Sequence, residues 1–322
     1  MKFLDTYTKS IEQELSNVEF PDAPQNLYNP LRYFLEIGGK RIRPILTLMG
    51  AELFGLKSHV VINQAVSVEL FHNFSLIHDD IMDEAPLRRG KETIHQKWNQ
   101  NIGILSGDVL LIRAYQSLSS GADNHLADLL TVFNNTAIEV CEGQQMDMDF
   151  EDRSDVSIQE YIEMIRLKTS VLLGCALEFG AIMANASEID RRNLYNFGQL
   201  IGVAFQIQDD ILDLYADPDK FGKQVGGDVI ANKKTILFLT AIEKSTAEQI
   251  KRLENLSLEK DSSLKVAGVR DLFNELEVKA HCESVMKDYF DRAMLALEAV
   301  QVTSDRKKSL TELANYLIQR DI

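Results

Sequence analysis

Residues 158–186 read IQEYIEMIRLKTSVLLGCALEFGAIMANA. Apolar side chains recur there at intervals of three and four, the period of one face of an α-helix. The stretch is rich in Leu, Ile, Ala and Glu and has no proline, a composition that favours helix. Working outward, the chain holds six prolines, and none lies between Pro86 and Pro218 or beyond Pro218. Proline breaks helix interiors, so these long proline-free stretches predict helices. Strand-like alternation is rare, and no Asn-Gly turn separates β-branched runs. The pattern predicts an all-α fold: one large helical bundle, with residues 1–322 as a single domain. Small residues cluster inside the apolar helices at Gly174, Ala176, Gly180 and Ala181, then at Gly198, Gly202 and Ala204. Close helix approach and a tunnel wall needing room both account for them.

Charge narrows the partners. The 322 residues carry 34 Lys+Arg and 49 Asp+Glu, a net charge of −15. Such a chain repels polyphosphate backbones, so nucleic acid is excluded as the main partner. A small anion is not excluded, because a local basic cluster outweighs distant charge. Three cysteines, Cys141, Cys175 and Cys282, have neither zinc-type spacing nor a disulfide framework. The opening MKFLDTYTKSIEQELS lacks an apolar signal core, and the uncharged stretch 193–208 is too polar for a membrane span. These features predict a soluble, cytoplasmic protein with no membrane span.

The chemistry concentrates in a pattern that occurs twice, Asp-Asp-x-x-Asp. Asp79, Asp80 and Asp83 stand in HDDIMD; Asp209, Asp210 and Asp213 stand in QDDILD. Each follows an apolar run, and each precedes a loop with basic residues, 84–93 and 216–235. On a helix, three- and four-residue steps return to one face, so each trio gathers carboxylates that repel one another by about 0.2–0.5 kcal/mol per pair. A cation removes that cost. Carboxylates without thiolate or imidazole suit hard ions, Mg²⁺ above all, and Mg²⁺ shares its coordination between protein and substrate phosphates. Two acidic helix ends therefore predict a diphosphate held through bridging Mg²⁺. The basic groups fit the same picture. GGKRIRP (38–44) supplies Lys40, Arg41 and Arg43, the first loop supplies Arg88 and Arg89, and Lys168, Lys223 and Lys233 follow. Together they predict two phosphate sites, one bridged by metal and one bound by cations alone. His72 lies seven residues before Asp79, nearly two turns back and on the aspartate face. His78 and His95 receive no role.

These residues resemble the trans-isoprenyl diphosphate synthase, or polyprenyl synthetase, family. The likeness runs from GGKRIRP through HNFSLIHDDIMDEAPLRRG, GQQMD (143–147), KTS (168–170), FQIQDDILD (205–213) and FGKQVGGDVIANKKT to the closing YLIQRDI. The resemblance implies an isoprenoid synthase-like bundle around a central cavity, usually a homodimer, with the clusters facing across it. It implies head-to-tail condensation of isopentenyl diphosphate with an allylic diphosphate, using three Mg²⁺ ions per active site, with Mn²⁺ as a substitute. Carried over residue by residue, Asp79, Asp83 and Asp209 are the direct metal ligands. Asp80, Asp210 and Asp213 act behind them or through water. Arg88, Lys168 and Lys233 hold the allylic diphosphate, and Lys223 joins from the loop. Lys40, Arg43, His72 and Arg89 hold isopentenyl diphosphate, with Arg320 closing over it. Thr169, Gln206, Gln144 and Asp147 line the cavity. In this family the residues four and five before the first aspartate limit product length; here they are Ser75 and Phe74, with Phe71 a further candidate. The expected product is geranylgeranyl diphosphate, with farnesyl diphosphate next. Three other readings explain less. A terpene cyclase needs neither GGKRIRP nor a second aspartate cluster. A non-catalytic partner subunit loses motif residues, and an acidic metal buffer leaves Arg88 and Arg89 without a purpose.

Overall fold

The computed structural model describes residues 2–216 and 225–318, and is almost entirely helical. In chain order the helices are α1 (Lys2–Ser16), α2 (Gln25–Glu36), α3 (Ile42–Leu53) and α4 (Ile62–Met82). Next come α5 (Ile94–Lys97), α6 (Gln100–Ser119), α7 (Leu126–Asp152) and α8 (Ile158–Ile165). Then follow α9 (Val171–Met183), α10 (Glu188–Tyr215), α11 (Gly227–Ile230) and α12 (Ile236–Lys244). The last are α13 (Ala247–Ser257), α14 (Ser262–Glu275), α15 (Val278–Ala299) and α16 (Ser304–Ile318). The all-α expectation holds. The stretch 158–186 departs from it in one respect: α8 and α9 are joined by a π-helical turn, Arg166–Ser170. The loop after the first aspartate cluster contains a two-residue antiparallel hairpin, β1 (Leu87–Arg88) with β2 (Lys91–Glu92). Its turn residues Arg89 and Gly90 both have positive φ, 52° and 74°. That is the type I′ geometry usually supplied by Asn-Gly, which is why the residue pattern did not announce it.

The residues group into two compact units, each continuous only in space. The first comprises 1–135, 172–195 and 301–306; the second comprises 136–171, 196–300 and 307–322. In the first, α4 runs through the interior and packs against α6, α3 and α1. By length and composition Ser58–Met82 could cross a membrane, but 61% of its apolar window is buried in the protein. Its apolarity therefore serves the core. The small residues of α9 permit close approach to α3: a Cβ on Gly180 would lie 2.3 Å from Thr47 O, and one on Gly50 would lie 2.5 Å from Leu177 O. Of the two explanations for these glycines, close packing applies here. In the second unit Val203, Ile207, Ile211 and Leu214 of α10 join Tyr161, Ile165, Leu237, Leu272 and Phe273 in one apolar cluster.

One half-buried acid of the first unit carries a pH signature. Burial pushes the Glu178 carboxyl on α9 up to about 7, against the pull of Arg191 and Arg192, while Asp128 adds repulsion. Between pH 4.5 and 7 the folded chain thus holds a proton that the unfolded chain has lost, so this group lowers stability as pH rises through that window. Glu178→Gln is expected to stabilise the protein at pH 8 by on the order of 1–2 kcal/mol and to change nothing at pH 4.5. Urea melts at the two pH values check this; equal shifts at both would reject it.

Candidate active site

Arg41, Arg43, His72 and Arg89 gather in the first unit near one buried acid, Glu69. In GGKRIRP, Gly38 and Arg41 both have positive φ, 80° and 54°. The Arg41 side chain turns into the interior, where its Nη1 donates to Glu69 Oε1 at 2.5 Å; both residues are buried. Asn73 Nδ2 donates to the Glu69 carbonyl at 2.7 Å. Arg43, two residues on, lies beside α4 and donates from Nη1 to His72 Nε2 at 3.2 Å. A guanidinium can only donate, so that nitrogen is unprotonated and the imidazole proton sits on Nδ1. Burial, then Arg43, Arg89, Arg88 and Arg41, hold His72 well below its ordinary pKa and keep it neutral. Arg89 crosses the same loop: a Cβ on Gly39 would lie 2.9 Å from its Nη1. Burial and the neighbouring guanidiniums lower Arg43 and Arg89, while Glu69 supports both. Arg43 Nε is buried with no partner among the described residues. A buried, unmet donor amid excess positive charge is a place for an anion.

The first aspartate cluster ends α4, seven residues beyond His72. Its members do not point alike. Asp80 is buried and takes Arg88 bidentately, with Nε 2.8 Å from each carboxylate oxygen. Asp83 is the exposed C-cap residue of α4, and Asp79 is partly exposed. The hairpin that carries Arg88 and Arg89 is pinned: Tyr33 Oη donates to Glu92 O at 2.8 Å, and Thr93 Oγ1 donates to Ala85 O at 2.7 Å. Before the cluster, Phe74 is half-buried, its ring 4.7 Å from the His78 ring and 5.6 Å from the Phe71 ring. Phe71 is 1% exposed and packs edge-on to Phe133 at 5.2 Å. It is a core residue that supports Phe74. The Ser75 hydroxyl donates to His72 O at 2.9 Å.

The second cluster, in the second unit, follows the same division. Asp210 is buried and accepts the Tyr161 hydroxyl at 2.5 Å. Burial pushes its carboxyl up to about 8, with Asp228 and Asp209 adding to the rise and Tyr161 and Gln206 opposing it. Asp213 Oδ2 accepts the Asp228 backbone N–H at 3.0 Å, and Asp213 O accepts the Gly226 N–H at 2.6 Å. Asp213 thus anchors the Gly226–Gly227 turn. Asp209 is partly exposed on the same turn of α10. Lys233 Nζ lies 3.9 Å from Asp228 Oδ1 and is 64% exposed. Asp210, Asp213, Asp228 and Lys233 line a small recess whose apolar side includes Leu253 and Phe273. On the π-helical turn, Lys168 Nζ donates to Asp147 Oδ2 at 2.5 Å, and Thr169 is partly buried. Gln144 is buried with neither amide atom partnered among the described residues. Lys223 and Arg320 lie outside the described residues.

The donor chemistry fits Mg²⁺. Asp79, Asp83 and Asp209 offer carboxylate oxygens, whereas Asp80 and Asp210 are turned inward to Arg88 and Tyr161. Among the described residues no three acidic, His or Cys side chains form a closed metal group.

The polyprenyl synthetase family profile matches residues 24–276, across most of these motifs. The chain belongs to the polyprenyl synthetase family. This polyprenyl synthetase is a prenyltransferase. It is 34% identical to the short chain isoprenyl diphosphate synthase of Methanothermobacter thermautotrophicus over 322 residues, covering 100% of this chain and 98% of that one. It is 37% identical to the geranylgeranyl diphosphate synthase of Methanosarcina mazei over 300 residues, 92% of this chain and 91% of that one. A crystal structure of a geranylgeranyl pyrophosphate synthase superposes with a TM-score of 0.93 at 42% identity, covering 99% of each chain.

Reading residues alone missed Glu69, Asn73 and Tyr161. Glu69 had a signal: it is the one charged residue between Ile62 and Phe71, and a lone acid in an apolar helix implies a buried cation. Tyr161 had none, since an aromatic at helical spacing reads as core.

Proposed function

We propose that this polyprenyl synthetase condenses isopentenyl diphosphate head-to-tail with an allylic diphosphate, releasing diphosphate and giving mainly geranylgeranyl diphosphate. The observation that carries this reading is the layout of α4. The cation cluster around His72 precedes the acidic end at Asp79 by seven residues, a rise of about 10 Å along the helix. One helix thus presents an anion site built from cations and, within the span of a small substrate, carboxylates suited to divalent ions.

In this reading Lys40, Arg43, His72 and Arg89 take the isopentenyl diphosphate. His72, being neutral, supplies its Nδ1 proton as a hydrogen bond without adding charge, and orients the Arg43 fork. Arg88, Lys168 and Lys233 take the allylic diphosphate. Asp79 and Asp83 on one helix, and Asp209 on another, supply carboxylates to Mg²⁺, which neutralises charge on the diphosphate. The lysine and arginine side chains stabilise the leaving group as the allylic C–O bond breaks. The double bond of isopentenyl diphosphate then attacks C1 of the allylic cation, forming the new C–C bond. The proton lost from C2 goes to the departing diphosphate, whose oxygens lie next to it as the bond forms. Gln144, Thr169 and Gln206 steady the cation, and the surrounding apolar wall keeps water from it.

The geranylgeranyl product is supported by the names of the relatives, and Phe74, whose half-buried ring stands one turn before the aspartates, is the floor that stops the chain from growing further. Phe74→Ala is expected to lengthen the main product by at least one five-carbon unit, read by mass spectrometry. Phe71→Ala, by contrast, is expected to cost about 3–5 kcal/mol of stability. An unchanged product from Phe74→Ala rejects its role as the floor. A homodimer is proposed as well. Ile104, Leu105 and Ile112 stand exposed on α6 at 40%, 58% and 58%, an apolar row that a second copy would cover. A cytoplasmic location accompanies this reading.

The deciding experiment incubates the pure chain with Mg²⁺, labelled isopentenyl diphosphate and each short allylic diphosphate. Incorporation of label into a twenty-carbon product is expected. Absence of incorporation with every starter rejects the reaction.

A further inference from the structure

The Lys168 backbone sits directly on a glycine. A Cβ on Gly143 of α7 would lie 2.2 Å from Lys168 N and 2.7 Å from Lys168 Cα. These are backbone atoms, which cannot swing aside as a flexible side chain can. One turn further along α7, on the same face, Asp147 accepts the Lys168 ammonium. The two positions of one helix therefore seat the main chain and the head group of a single residue.

The last residue of the turn is crowded by a second glycine. A Cβ on Gly202 of α10 would lie 2.8 Å from both Ser170 Cα and Ser170 Cβ. The turn between them is π-helical, Arg166–Ser170, closed by the Val171 N–H donating to Arg166 O. Ser170 Oγ donates to Ile165 O, five residues back, at 3.2 Å. A π turn inserts an extra residue, which re-aims every side chain it carries relative to the helix on either side. Lys168 and Thr169 are among the five residues it carries.

We propose that Gly143, together with Gly202 and Ser170, is a positioning residue for the allylic diphosphate: the two glycines clamp the π-helical turn, and the turn aims Lys168. This rests on the proposed function for the identity of the anion. A Cβ at position 143 pushes the Lys168 main chain away from α7 while Asp147 still holds its ammonium, so the head group is misaimed and not lost. Misplacement of about 1 Å at a reacting group costs as much as 10²-fold in rate.

The test compares Gly143→Ala, Ser170→Ala and Gly268→Ala with the wild type. The last is a control, since the atom nearest a Cβ on Gly268 is the end of the flexible Leu256 side chain, at 2.4 Å. Two quantities are read: the KM for each substrate, and calorimetric binding of inorganic pyrophosphate with Mg²⁺. Gly143→Ala is expected to raise the allylic KM and weaken pyrophosphate binding by about tenfold, with the isopentenyl KM within twofold. Ser170→Ala, which removes only the hydroxyl, shifts the same two quantities about threefold, and it decides the matter should Gly143→Ala fail to fold. Gly268→Ala leaves all of them unchanged. Variants at 143 and 170 that lose kcat or thermal stability with both KM values and pyrophosphate binding unaltered overturn the proposal. A wild type that binds pyrophosphate but makes no prenyl product overturns the reaction instead, and the binding ratio still judges the glycine clamp.

Discussion

Asp79→Asn is expected to lower kcat by about 10³-fold or more at saturating Mg²⁺, because a lost metal carboxylate removes several kcal/mol of stabilisation from the departing diphosphate. Its folding should not suffer. Asp79 lies in the last turn of α4, next to Asp80 and four residues before Asp83. Helix C-termini disfavour negative charge by about 0.3–1 kcal/mol, and a like-charged pair at this spacing adds about 0.2–0.5 kcal/mol of repulsion. Removing the charge therefore leaves the melting temperature unchanged or slightly raised. Activity and stability should part company, which is the signature of a group held for chemistry. Kinetics beside a thermal melt make the check: near-normal turnover in the variant would sink the metal role of this cluster. Asp80→Asn should behave differently, since it releases Arg88 from a bidentate pair and disturbs the hairpin itself.

The largest stability effect is expected at Glu69. Glu69→Ala leaves the Arg41 guanidinium, 5% exposed, without its carboxylate. Breaking a buried pair by removing one partner costs about 3–5 kcal/mol, because the remaining charge is neither hydrated nor paired. At about 2–4 °C per kcal/mol that is a loss near 10 °C in melting temperature. The same carboxylate supports Arg43 and Arg89 electrostatically, so the KM for isopentenyl diphosphate should change along with stability. A melting temperature within 2 °C of wild type would show that Arg41 finds water or another acceptor, and that Glu69 is not the anchor of the cluster.

Much of this was legible in the residues, for a reason that differs by feature. Helical period in 158–186 and the scarcity of proline made the fold class readable, since both act through local geometry. The repeated Asp-Asp-x-x-Asp is what the Mg²⁺ proposal rests on, since carboxylates gathered at helical spacing repel one another unless a cation lies between them. The chain did not reveal that Asp80 and Asp210 turn inward while Asp79, Asp83 and Asp209 remain toward the outside. Helical spacing puts all three on a common arc, and only the partners, Arg88 eight residues away and Tyr161 forty-nine away, sort them. Length alone allowed one large domain or two small ones, and the residues group into two compact units whose segments interleave along the chain.

What the sequence determined by itself was therefore the set of chemical groups and their helical addresses: acids on two helices, cations beside glycine turns, a histidine two turns before the first cluster. Local sterics and periodicity carry that information at short range. Only the tertiary structure decided which guanidinium is buried against Glu69, that Arg-Gly takes a hairpin turn, and that the helix through Lys168 opens into a π turn between two glycines. Those outcomes depend on contacts between residues far apart in the chain, where packing and burial overrule the preference of any local stretch.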